Sequence, residues 1–93
     1  MAAQTCINTQ HATLTSTTAD MITFSGVGSR LYVTNRDTTN TLYFTLNGVT
    51  AVAAADQTFA VLPLTTHLPL HISGNPGPVS VVCNGGGYSV ELF

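Results

Sequence analysis

Few side chains in this sequence could hold a metal, move a proton or attack a carbonyl: three histidines, two cysteines and four carboxylates stand out. His67 and His71 are four apart, the spacing that puts two imidazoles on one helix face and lets them share a zinc ion. Pro69 lies between them, however, and Leu68, Leu70 and Ile72 alternate with Pro69, His71 and Ser73. That alternation reads as a strand, on which the two rings stand roughly 13 Å apart and cannot share a metal. His11 sits alone in a polar N-terminal stretch and reads as an exposed or interface residue. Cys6 and Cys83 have no C-x-x-C or Cys/His spacing and read as reduced, small apolar side chains. A disulfide between them remains an option in an oxidising medium. A blue-copper site is disfavoured because no histidine follows Cys83.

Nucleophilic catalysis needs a base beside a nucleophile and a group that orients the base. No G-x-S-x-G elbow occurs, and Asp20, Asp37, Asp56 and Glu91 are scattered. Asp37 and Asp56 could form a glycosidase-type carboxylate pair only if the fold joined them, and nothing in the pattern does so. Gly85 to Gly87 lies between two apolar stretches with strand alternation, so it lacks the helix N-terminus of a phosphate loop and reads as a hairpin turn. The Thr-x-Thr element in TLTSTT occurs once, too little for a regular ice-binding array. The expectation is a protein that is not an enzyme and uses no metal or cofactor.

The elements around these residues are read from period-two patterns. The clearest is Leu31 to Gly48: Leu31 and Val33 oppose Tyr32 and Thr34, then Leu42, Phe44 and Leu46 oppose Tyr43, Thr45 and Asn47. Arg36 to Asn40 between them contains Asp and Asn, which favour turns, so the stretch reads as an antiparallel hairpin with one buried face. Tyr32, Thr34, Tyr43 and Thr45 then share its outer face and are candidate interface residues. Further strands are expected around Ile22 and Phe24, over Gln57 to Leu62 ended by Pro63, over Leu68 to Ser73, over Val79 to Cys83 and over Tyr88 to Leu92. Pro69 requires that its strand lie at an edge or carry an irregularity at that residue. The alanine run after Val49 is assigned neither a helical turn nor an edge strand. Residues 1 to 19 read as an extended arm able to join a sheet edge, its own or a neighbour's, with Ile7 and Leu14 as candidate interface residues. The expected fold is a single all-β domain over 20–93, an antiparallel β-sandwich, jelly-roll or Ig-like, of about seven to eight short strands.

Composition narrows the partners. Charged residues make up 6% of the chain, lysine is absent, and sixteen threonines carry much of the polarity. No basic cluster is available for nucleic acid or anionic lipid. The N-terminus carries neither the charged and apolar regions of a secretion signal nor an acyl-anchor motif, so synthesis in the cytoplasm and no membrane contact are expected. So few charges suit permanent contact with other subunits better than life as a free monomer.

The strings RLYVTN, TLYFTLNG, VLPL before a Thr-Thr pair, and PVSVVCNGGGYSVELF lie within Ile22 to Phe93. They resemble the small β-sandwich structural proteins of tailed bacteriophages, above all head decoration or cement proteins and related head-fibre and tail modules. The resemblance implies a homo-oligomer, favoured as a trimer, on the capsid surface of a virion. Its partners would be the major capsid protein or other virion subunits, with Met1 to Ala19 hooking the shell or a neighbour. A carbohydrate- or receptor-binding module is the alternative.

Overall fold

The computed structural model describes residues 2–14, 18–52, 58–83 and 85–93, with the backbone alone for residues 2–4. Nine strands form: β1 (Ala2–Cys6), β2 (Thr9–Thr13), β3 (Asp20–Phe24), β4 (Gly28–Asn35), β5 (Leu42–Thr45), β6 (Phe59–Val61), β7 (Leu70–Gly74), β8 (Val79–Val82) and β9 (Gly87–Leu92). No helix occurs among the described residues. The strands make a five-stranded sheet in the order β1-β3-β8-β5-β6 and a four-stranded sheet in the order β2-β9-β4-β7. Antiparallel pairs are nested in the sequence: β2 with β9, β3 with β8, β4 with β7 and β5 with β6. The chain runs out through β2 to β5 and returns through β6 to β9. Contacts of β4 with β9 and of β5 with β8 complete the sheets. Only β1 runs parallel to its partner, β3.

The core lies between the sheets, where the alternating residues meet. Ile22, Phe24, Leu42, Phe44, Val79 and Val81 come from the five-stranded sheet. Leu31, Val33, Tyr88, Val90 and Leu92 face them from the other. Most predicted inward faces therefore hold, except that Phe59 is 39% exposed and Leu68 80% exposed. Of the two options for the Pro69 stretch the edge is the one found, because β7 begins after Pro69 and ends the four-stranded sheet. Packing a bulky side chain into such an interior contributes about 1.5–3 kcal/mol relative to leaving it in water.

Three expectations need correction. The hairpin over Leu31 to Gly48 does not form, because β4 and β5 lie in different sheets. An alternating strand buries its apolar face equally well beside its sequence neighbour or opposite it across a core, so the pattern alone does not choose. The connection chooses. Asn35 is buried, and its Nδ2 donates to the carbonyls of Asn40 (2.7 Å) and Val61 (3.0 Å), which links the end of β4 to the opposite sheet. The Asp37 N–H donates to Asn35 Oδ1 at 2.9 Å, and Asp37 Oδ2 accepts from the N–H groups of Thr39 and Asn40. The result is a hydrogen-bonded arch rather than a hairpin turn.

Gly85 to Gly87 is likewise no hairpin, since β8 and β9 also lie in different sheets. Gly86 has φ +91°, and a Cβ there would come within 2.5 Å of Asp37. The glycine is required where one inter-sheet connection presses on another. Finally, the stretch read as an arm is built into the sandwich: β1 edges one sheet, β2 edges the other, and Leu14 lies in the core. These two strands account for the count of nine.

Candidate functional site

The outer faces of the two sheets differ. On the five-stranded sheet, Ala19, Ala51 and Val82 are buried together with Tyr43 packed against them. The Ala51 N–H donates to Ser80 Oγ at 2.9 Å, and Thr45 Oγ1 donates to the Val49 carbonyl. The chain after β5 thus folds back over its own sheet and covers Tyr43 and Thr45. The outer face of the four-stranded sheet stays open. Tyr32 is half-buried there, its ring held edge-on to Phe93 with centroids 5.3 Å apart and planes at 86°. Thr34 shares a 2.9 Å hydroxyl–hydroxyl bond with Thr66.

Tyr32 and Tyr43 therefore stand on opposite sides of the molecule, a correction that follows from the absent hairpin. Of the other candidate interface residues, Ile7 is 69% exposed at the turn between β1 and β2, whereas Leu14 is 5% exposed. The six residues Ile7, Leu14, Tyr32, Thr34, Tyr43 and Thr45 do not make one surface.

The residues with chemical potential are equally dispersed. His11 on β2 stands opposite Ser89 on β9, and its Nδ1 is 2.6 Å from Ser89 Oγ. This imidazole–hydroxyl pair meets the first requirement of an activated nucleophile. It lies on the flat face of a sheet, where the neighbouring N–H groups of β9 are engaged in pairing with β2 and β4, so they are not aimed at an oxyanion. His71 stands opposite Arg30 on the same face. His67 turns elsewhere: its ring meets Phe44 and Phe59 edge-on at 5.3 and 5.6 Å and closes the seam beside β6. Among the described residues no three His, Cys, Asp or Glu side chains converge as metal ligands. Asp37 is engaged in its arch, which holds its carboxyl below the ordinary range through the backbone N–H groups of Asn40 and Thr39. Asp56, its proposed carboxylate partner, lies outside the described residues, as do Thr15 and Thr17 of the Thr-x-Thr element and the alanines at 53–55.

Neither cysteine is in a disulfide, and burial raises the Cys6 thiol pKa. Cys6 stands level with Phe24, while Val81 stands opposite Asp20, so Cys83 falls six residues away in register. That is about 20 Å along the strands, well beyond disulfide reach. One buried polar link joins the sheets in this region: Tyr88 Oη donates to Asp20 Oδ2 at 2.8 Å.

The feature that strand patterns missed is apolar and exposed. Leu62, Leu64 and Leu68 between β6 and β7 stand in solvent, Leu68 at 80%. Phe59 of β6 is partly exposed beside them in the chain and stacks on Phe44 at 5.0 Å. Leu64 has φ +54°, a left-handed conformation disfavoured for a bulky side chain. A second group, Ile7, Val27 and Phe93, occupies one end of the sandwich, where Gly26 N–H bonds the Ile7 carbonyl and Arg30 N–H bonds the Phe93 carbonyl. An open depression of about 320 Å³ lies between Leu46, Asn47, Val49 and Phe59. The sequence signal was Val61-Leu62-Pro63-Leu64, an apolar run that breaks period two and so cannot be buried on one face. Compared with known proteins, this chain matches no family model, no curated protein and no solved structure.

Proposed function

We propose that this chain is a non-enzymatic structural subunit of a virus particle, a decoration or cement protein that binds the outer surface of an assembled phage head and braces contacts between capsid subunits. The nested strand pairing supports reading the sandwich as a jelly roll, an architecture that viral capsid and lectin domains share. The observation that carries the proposal is the row Leu62, Leu64 and Leu68, held in solvent on a chain with 6% charged residues. Exposed apolar side chains without surrounding lysine or glutamate are characteristic of a surface that another protein covers. A strained Leu64 at the centre of that row fits a side chain presented for contact rather than for folding. Repetition over a lattice makes many weak contacts durable, because each acts at high effective concentration once its neighbours are bound. The favoured free form is a homotrimer that this apolar surface helps hold or dock.

The test is co-sedimentation of the purified chain with assembled heads and with dissociated capsid subunits. The expected result is saturable binding to assembled heads alone, weakened at least tenfold by Leu64→Ser with Leu68→Ser. Equal binding to free subunits, or unchanged binding by the double variant, would count against the proposal.

A further inference from the structure

The outer face of the four-stranded sheet and its end carry three of the chain's six charged residues, Arg30, Arg36 and Glu91. Both arginines are there. Arg30 projects from β4 opposite His71, and Arg36, just beyond β4, lies over Gly87, where a Cβ would come within 4.0 Å of its guanidinium carbon. Between them stand Tyr32, directly opposite Glu91, and Thr34, opposite Ser89, with His11 on the far side of Ser89. Of the other acidic residues described, Asp20 is buried and Asp37 is tied into its arch. In a chain of formal charge −2 this face carries two arginines against one glutamate.

From this arrangement we propose that the face is a binding platform for an acidic glycan, a carboxylated or sulfated polysaccharide. The two arginines attach to the backbone six residues apart, Arg30 on β4 and Arg36 just past its end, about 20 Å at strand rise, a span that suits an extended polymer rather than a single anion. Tyr32, oriented by Phe93, offers an aromatic surface midway. Glu91 supplies an acceptor for sugar hydroxyls, whereas Ser89 is buried with its hydroxyl on His11 and the Thr34 hydroxyl is bonded to Thr66. Single-stranded nucleic acid fits less well, because one tyrosine gives no run of stacking sites for successive bases. This platform does not depend on attachment to a shell and uses none of the apolar row from Leu62 to Leu68.

The experiment is amide-resolved NMR titration of the full chain with a galacturonate hexamer, a heparin hexasaccharide, neutral cellohexaose and a thymidine oligonucleotide. At least one acidic hexasaccharide is expected to bind with shifts centred on β4 and β9. Arg30→Gln with Arg36→Gln should weaken that binding at least tenfold while the spectrum stays folded, and cellohexaose should bind at least tenfold more weakly. Tyr43→Ala, on the covered sheet, should leave it unchanged. No binding of either acidic hexasaccharide at about 1 mM, the weak end of specific recognition, would overturn the proposal. So would equal binding of the oligonucleotide, or shifts centred on the β6–β7 connection.

Discussion

Replacing Tyr88 with Phe keeps a buried ring and removes one oxygen. That oxygen is the donor to Asp20 Oδ2 at 2.8 Å, and the bond links β9 of one sheet to β3 of the other. Both residues are buried, Asp20 at 4% exposure, so water does not readily replace the lost donor. A hydrogen bond to a charged group contributes about 1.5–3 kcal/mol, and leaving its buried partner unsatisfied puts the cost in the same range. For a domain of this size 1 kcal/mol moves Tm by roughly 4–8 °C, so Tyr88→Phe should melt roughly 6–24 °C below wild type. The phenol also has a pH signature. Burial first, and then the bond to Asp20 and its negative charge, raise the Tyr88 pKa above the ordinary phenol value. A raised folded pKa contributes stability that is complete below the unfolded value near pH 10 and is lost as pH rises above it, by at most about 1.4 kcal/mol per pH unit. Wild type should therefore lose stability above about pH 10 more steeply than Tyr88→Phe. Thermal and urea unfolding followed by circular dichroism between pH 7 and pH 11 measure both effects. A variant within 0.5 kcal/mol of wild type at pH 7, with the same alkaline slope, would refute the link between the sheets.

Phe44→Ala removes a ring that is fully buried and stacked on Phe59, and should cost about 3–5 kcal/mol in urea unfolding. Leu64→Asn places a residue that tolerates left-handed backbone at φ +54°, so it should raise stability by about 0.5–1 kcal/mol while weakening attachment to assembled heads. The lowered Asp37 pKa contributes stability present above the unfolded value near 3.8 and lost as pH falls through the folded value. Acid unfolding of Asp37→Ala should accordingly show a shallower limb than wild type below about pH 4. Deleting residues 1–7 should leave a folded β protein by circular dichroism, because only the edge strand β1 is lost. Deleting 1–19 should abolish folding, because β2 and the core residue Leu14 go with it.

Most inward faces were legible from period two, because burial on one side of a strand selects the residue type at every second position. Pro69 marked an edge or an irregularity for a reason written in the residue itself, a missing N–H. Strand partnership was not legible. Leu31, Val33, Leu42 and Phe44 satisfy their pattern equally in a hairpin and across a core. What separates the two is Asn35, a residue whose side-chain bonds to Asn40 and Val61 exist only once the sheets are assembled. The same ambiguity hid the tyrosines' separation and made three glycines look like a hairpin. The N-terminal strands carry weak patterns because each sits at an edge, where one neighbour and partial burial suffice. The apolar row at Leu62, Leu64 and Leu68 was readable as a break in alternation, but its exposure depends on where the β6–β7 connection runs.

The most direct measurement for the proposed function is the thermal disruption of phage heads stripped of this chain, with and without the purified protein added back. The account predicts that disruption shifts upward by several degrees and that the shift saturates at a fixed number of copies per head, as binding to the intact state requires. Disruption at the same temperature under saturating protein would contradict a bracing role.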